Sequence, residues 1–441
     1  MQVSIETTSE LSRKMTVQVP EQKIQEQVQQ RLKSMVGSVK LNGFRPGKTP
    51  QSLLQKKYGK GVRQEVVAEL ITSSFNEAVR DEKLRPVAGP LITPEATAEG
   101  EGLRYVADFE VMPEFVLYPL ELLEVDRFVS EVTEQDLDDM LLQLREQRRT
   151  WHPSDDPAAL GDRLTIHFSG ESEGENLTNG KVLNYSIVLG SKQQLPGFEE
   201  ELIGSLVGSY KTFTLEFPQD SGLGNLGGKS GQFSVEVIRV EQSVLPELDD
   251  VFVQTFGIKN GDVDAFRADI LSSMEREKNR AANLKTKNSV MDALFLRNEA
   301  LSLPTVLVNE ELKSLINSAK GEAEKRKQTF DESAAKQVFV PLARRRVALG
   351  LLIGRIVEIN YIALDNGRVR RTIEELALSF ENPEEVVDWY YANSNRNELE
   401  RVQSMVLEDQ AVDLILETAK VSEKQISFKE LTMPSPQAVQ R

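Results

Sequence analysis

The sequence contains no cysteine. Disulfides and thiolate metal sites are therefore excluded together, and the composition fits a reducing compartment. The two histidines, His152 and His167, are too few to build a histidine cluster for zinc. The N-terminal stretch MQVSIETTSELSRKM has no apolar run of the kind that opens a signal peptide, and no later stretch is apolar for long enough to span a bilayer. The expected location is the cytoplasm, with no membrane partner. No GxxxxGK[ST] phosphate loop occurs, which argues against an ATP-driven cycle. Positive charge is in deficit: 53 Lys and Arg against 69 Asp and Glu give a formal net charge of −16. Such a balance disfavours nucleic-acid binding by the chain as a whole, yet leaves room for a local basic site, because binding follows the local potential.

What is present is a long chain. Its 441 residues exceed what one growing core accommodates, so two to four domains are expected. The first segment, 1–115, reads as α+β. VSIETT (3–8) and KMTVQVP (14–20) alternate like the strands of a hairpin. Ile24, Val28, Leu32 and Met35 recur at helical spacing after Pro20. A second helix is expected from Pro50 to about Glu82, with Leu53, Leu54, Val66, Val67, Leu70, Ile71 and Phe75 on its apolar faces. Tyr105, Ala107, Phe109 and Val111 then share one face of a strand.

A connecting region, 116–160, follows. Thr133 is a good N-cap with Glu134 and Asp136 in the first turn, where acids favour the helix dipole, and Trp151–Asp162 reads as a proline-containing linker. From 161 to 245 the pattern is strands, LTIHFSG, NYSIVLG, KTFTLEF and QFSVEVIRVE, with one short helix expected at GFEEELIGSL. From 246 to 441 the chain reads as almost all helix, with breaks expected at Pro304, Pro341 and Pro383, a polar tip at 321–337 and a frayed end from Ser427.

One charge feature stands out. Between Gln27 and Gln64 there is no acidic residue, while Arg31, Lys33, Lys40, Arg45, Lys48, Lys56, Lys57, Lys60 and Arg63 all lie there. Charge alone is equally consistent with a solvated helical face. At its centre stands GFRPGKTP (43–50), in which Gly43 and Gly47 allow tight geometry, Pro46 and Pro50 stiffen it, and Phe44 sits beside Arg45. An exposed aromatic between cations has the composition of a docking anchor, and the absence of interleaved aromatics argues against base stacking as its main mode.

GFRPGKTP, with KYGKGVRQEV downstream, resembles the ribosome-docking motif of bacterial trigger factors, Gly-Phe-Arg-x-Gly-x-x-Pro. Gly43, Phe44, Arg45, Gly47 and Pro50 match it, and Pro46 stands where the family often has Lys. The resemblance runs on through LTIHFSG, VLGSKQQLPGFEEELIG and FSVEVIRVE, which are similar to an FKBP-type prolyl isomerase domain, to KVSEKQISFKELT near the end. It implies a multidomain α+β architecture: an N-terminal α+β docking domain, an inserted FKBP-like β-domain with one helix, and an all-α body with helical arms. It implies docking through Gly43, Phe44, Arg45, Pro46, Gly47 and Lys48 at the large ribosomal subunit near the exit tunnel. It further implies nascent and unfolded polypeptides as clients, a homodimer off the ribosome, and an isomerase pocket lined by Phe168, Tyr185, Leu195, Phe198 and Phe233, with no cofactor and no metal. Leu177 and Thr178 stand where the family usually has an aromatic followed by an acid, and Ser221 or Gly222 near its usual Tyr. Two other readings remain: a free cytosolic prolyl isomerase, and a holdase scaffold with an inactive isomerase site.

Overall fold

A computed structural model describes the chain except for residues 37–50, 96–101, 173–174, 179, 219–227, 259–260, 379, 381 and 434–441. The described residues fall into two compact units, one comprising 1–129 and 283–425, the other 130–282 and 426–433.

The first unit opens with β1 (Gln2–Thr7) and β2 (Ser12–Val19), paired antiparallel. Met15, Val17 and Val19 alternate into the core, as strand periodicity requires. Pro20 caps α1 (Glu21–Met35), with φ already fixed for the turn into the helix. Next come α2 (Gln51–Asp81), β3 (Leu91–Glu95) and β4 (Leu103–Glu110), and the sheet order is β1-β2-β4-β3. Ile24, Leu32, Leu54, Val66 and Leu70 of the two helices bury against Tyr105, Ala107 and Phe109 of β4. Buried Tyr105 is satisfied by the Ser74 hydroxyl at 2.8 Å and the Ile71 carbonyl at 3.2 Å. Leu53, expected on the apolar face of α2, is exposed, because the stripe that faces the sheet passes through Leu54 instead. The last strand of this stretch is β5 (Glu124–Val129).

The second unit begins with α3 (Glu134–Gln147). Thr133 Oγ1 accepts from Asp136 N, and the Asp136 carboxylate accepts from Thr133 N, a reciprocal capping box. The strands are β6 (Thr150–Pro153), β7 (Arg163–Ser172), β8 (Glu175–Asn176), β9 (Val182–Val188), β10 (Tyr210–Glu216) and β11 (Ser230–Val244). The sheet runs β10-β11-β7-β8, with β9 also on β7 and β6 on β11. The expected linker at 151–162 is thus a strand in its first part. Trp151 pairs with Ser243 on β11, and the guanidinium groups of Arg149 and Arg163 approach its ring at 5.5 and 4.8 Å. The helix expected at GFEEELIGSL is a single 3-10 turn, Glu200–Leu202. Gly197 and Gly204 take positive φ on either side and leave no room for a longer helix.

The remaining helices are α4 (Asp250–Gln254), α5 (Val263–Arg297), α6 (Thr305–Lys325), α7 (Glu332–Ile359), α8 (Asn366–Ala377), α9 (Pro383–Tyr391) and α10 (Arg396–Thr418). Pro341 does not break α7. It is exposed, so the carbonyl it leaves unpaired faces water while Ala343 and Val347 pack on Val308, Leu312 and Ile316 of α6. Pro304 and Pro383 do mark helix starts. The C-terminal segment is not wholly helical: β12 (Lys420–Gln425) pairs in parallel with β5. Nor is the end frayed at Ser427, which caps α11 (Phe428–Thr432); Phe428 buries with Leu137 and Leu141 of α3, Phe252 of α4 and Phe266 of α5. Among the described residues no helix is long and apolar enough to cross a membrane.

Candidate active site

The strand face of the β-domain gathers the aromatic residues that the sequence scatters. Phe233 on β11 faces Phe213 on β10 in register, and the next strand, β7, places Phe168 opposite Val235. Tyr185 comes from β9, and Leu195 and Phe198 from the turn that follows it. Phe198 is the hub. Its ring centroid lies 5.4 Å from Phe233, 5.3 Å from Phe213 and 5.9 Å from Phe168, each pair edge to face. Phe168 in turn meets Tyr185 edge to face at 5.4 Å.

Exposure is graded across the cluster. Phe198 and Phe233 are only 4% and 5% exposed, Phe168 and Leu195 are half-buried, and Tyr185 is 37% exposed. The arrangement is an apolar dish with a closed floor and an open rim. All five residues expected from the sequence are therefore brought to one place. The window of residues 43–48 lies outside the described residues, as do Ser221 and Gly222.

Two glycines fit the floor closely. A Cβ on Gly170 would meet the Phe233 ring at 2.8 Å. Gly197 has φ +89°, and a Cβ there would meet Leu215 at 2.9 Å. Leu177 packs against this core, and Thr178 Oγ1 accepts from Gly170 N at 3.3 Å. The two positions that depart from the family pattern thus serve the β7 edge.

Phe213 and Phe217, which flank Phe233 with centroids at 6.2 and 6.3 Å, were not singled out in the sequence. Their signal was the alternation of Phe213, Leu215 and Phe217 in KTFTLEF. Glu199 was also missed. Its carboxylate is buried beside the hub, where burial pushes its pKa up, but hydrogen bonds from Lys192 N, Ser191 Oγ, Gly190 N and Gln194 N together hold it below the usual carboxylate value.

Chemically the dish needs no acid, base or metal to act on a prolyl bond. The barrier to rotation, ~18–20 kcal/mol, comes from amide resonance. An apolar surface favours the twisted, less dipolar amide, and one well-placed donor suffices to orient it. Gln194 Nε2 donates to Tyr185 Oη at 3.0 Å, so the Tyr185 hydroxyl keeps its own proton for a carbonyl above the rim.

In the N-terminal domain, the described part of the acid-free window is only partly neutralised. Arg63 forms a two-pronged pair with Glu21 at 2.6 and 2.7 Å, and Arg31 pairs with Glu69. Lys33, Lys56, Lys57 and Lys60 are exposed and have no acidic partner among the described residues.

Comparison with known proteins agrees with this geometry. Residues 1–144 match the family model described as bacterial trigger factor protein, 262–417 that of the trigger factor C-terminus, and 154–238 that of FKBP-type peptidyl-prolyl cis-trans isomerase. The chain is 40% identical over 434 residues to the trigger factor of Alkalilimnicola ehrlichii, covering 98% of this chain and 96% of that one. It is 39% identical to that of Stutzerimonas stutzeri, covering 99% and 100%, and 40% identical to that of Thioalkalivibrio sulfidiphilus, covering 98% of both. The aromatic dish lies within the isomerase match, and the two flanking matches account for most of the remainder, so this chain belongs to the bacterial trigger factor family, ribosome-associated chaperones that carry an FKBP-type peptidyl-prolyl isomerase domain.

Proposed function

We propose that the chain is an ATP-independent chaperone of the cytoplasm that docks on the large ribosomal subunit beside the exit tunnel, holds nascent and unfolded chains, and isomerises their X-Pro bonds. The proposed division is 1–115 for docking, 116–160 as connection, 161–245 for isomerisation and 246–441 as the helical body and arms, with a homodimer as the form off the ribosome. Phe168, Tyr185, Leu195, Phe198 and Phe233 form the isomerase site. The observation that carries this reading is the edge-to-face cluster centred on Phe198, closed beneath and open at Tyr185. Proline-limited refolding of a model protein tests it. Phe198→Ala in the full chain is expected to lower kcat/KM roughly a hundredfold, because the prolyl ring loses the surface that positions it. Equal rates for the two proteins would remove the site.

Docking rests on the sequence of Gly43, Phe44, Arg45, Pro46, Gly47 and Lys48 and on the unpaired lysines beside them. An aromatic next to cations suits a surface of RNA phosphate and acidic protein, and an acidic chain needs one electropositive foot to approach it. Co-sedimentation with ribosomes at two salt concentrations is the check. Phe44→Ala/Arg45→Ala/Pro46→Ala is expected to abolish a salt-sensitive association. Equal pelleting of wild type and variant would instead favour a free isomerase.

Client holding rests on the helical arm. Leu378, Phe380, Trp389 and Tyr391 of the α8–α9 region are all exposed, a run of large apolar side chains with no one pocket to set specificity.

A further inference from the structure

We infer that Glu199 is a positioning residue of the isomerase site, whose buried carboxylate ties the 190–194 loop into the conformation that sets Leu195 and Tyr185 at the rim. The inference rests on the reading of the Phe198 cluster as that site.

Glu199 is 4% exposed, rare for a carboxylate with no cationic partner among the described residues. It is instead surrounded by converging donors. Oε2 accepts from Gly190 N at 2.8 Å and Lys192 N at 3.1 Å. Oε1 accepts from Ser191 Oγ at 2.9 Å, Gln193 N at 3.1 Å and Gln194 N at 3.4 Å. An ionised carboxylate is acceptor-only, with about four lone-pair sites, so this one is fully used. The backbone has to bend to deliver those amides: Gly190 has φ +88° and Lys192 φ +55°. Successive N–H groups turned inward make a concave anion nest, and here the anion is the protein's own.

The chain passes from this nest straight into the rim. Gln194, whose backbone N–H bonds Glu199, donates with its side chain to Tyr185 Oη at 3.0 Å. Leu195 comes next, and its carbonyl accepts from Phe198 N at 2.9 Å. One carboxylate therefore fixes, through a single turn of chain, the apolar wall at Leu195 and the hydroxyl at Tyr185. Glutamine at 199 would turn an –NH2 toward backbone N–H groups and leave several of them unpaired.

Glu199→Gln and Glu199→Asp in the full chain test the role, with Phe198→Ala as the control for the site itself. Steady-state isomerisation kinetics and backbone hydrogen exchange are measured on each. Glu199→Gln is expected to raise KM about tenfold, the worth of one or two lost bonds to a charged group. It should also speed exchange at Lys192, Gln193 and Gln194, while Glu199→Asp, which keeps the charge, recovers part of both. A purely structural role would lower the folded fraction, and that lowers apparent kcat at constant KM. Unchanged KM and unchanged exchange in Glu199→Gln, alongside an inactive Phe198→Ala, would overturn the inference and leave the site standing. A fully active Phe198→Ala would remove the site first and the positioning role with it.

Discussion

The β-domain and the α8–α9 arm use the same side chains in opposite ways. In the β-domain, Phe198 and Phe233 are closed off within a web of edge-to-face contacts. In the arm, Phe380 and Trp389 are 58% and 49% exposed, while Tyr390 and Val387 pack on a core of Val369, Ile373, Val402 and Val406. The cause lies in the scaffold. A sheet presents residues of neighbouring strands side by side on one face, so Phe168, Phe213 and Phe233 converge. A nine-residue helix such as α9 can bury one stripe, and Trp389 and Tyr391 fall off it. Convergence gives a shaped dish, the surface proposed above for the prolyl ring. Dispersal gives a surface that any apolar segment can use. An aromatic residue's role is thus set by whether its neighbours close around it.

The comparison can be broken by identical truncations. Phe233→Ala is expected to destabilise the β-domain by about 3–5 kcal/mol, because the ring fills a core bounded by Phe198, Phe213 and Phe217. Phe380→Ala on the exposed arm is expected to stay within about 0.5 kcal/mol. Urea unfolding resolves the two, and the two tryptophans supply separate reporters, Trp151 for the β-domain and Trp389 for the arm. A similar loss at both positions would mean that the arm aromatics are structural.

A smaller effect sharpens the same contrast through pH. Hydrogen bonding from Arg163 holds Glu241 below the ordinary carboxylate value of 4.5, and the converging donors do the same for Glu199 against its burial. Both carboxyls are depressed in the folded state, so both contribute stability that is present above about pH 4.5 and lost as pH falls through their folded values. The Trp151 transition should therefore weaken between pH 5 and pH 3 in a Trp389→Phe background, and Glu241→Gln should flatten that dependence. A midpoint independent of pH in wild type would contradict it.

Much of the fold was legible because local signals agreed. Pro20 followed by Ile24 and Leu32 marked α1, and Thr133 with Asp136 marked α3, since each pattern has one cheap solution. What was not legible depended on distant partners. KVSEKQ has no apolar alternation, and it is a strand only because β5 offers it an edge. Trp151 sits among prolines and aspartates that signal a loop, yet β11 is long enough to pair with it. Pro341 failed as a breaker because its side of α7 faces solvent. The site divides in the same way. Phe198 and Leu195 stood in LPGFE, a motif with a resemblance to point at it, whereas Glu199, one residue on, carried no signal of a role of its own. Only the folded turn shows four backbone amides aimed at it.

The separation of the two aromatic surfaces is tested most directly by passing two variants through two assays. Phe198→Ala and Leu378→Ser/Phe380→Ser/Trp389→Ser would each be measured for isomerisation of a proline peptide and for suppression of aggregation of an unfolded protein. The first is expected to lose isomerisation and keep holding. The second should keep isomerisation and hold about tenfold less well, as removal of a few partly exposed apolar side chains implies. Loss of both activities in both variants would contradict the division and place the two functions on one shared surface.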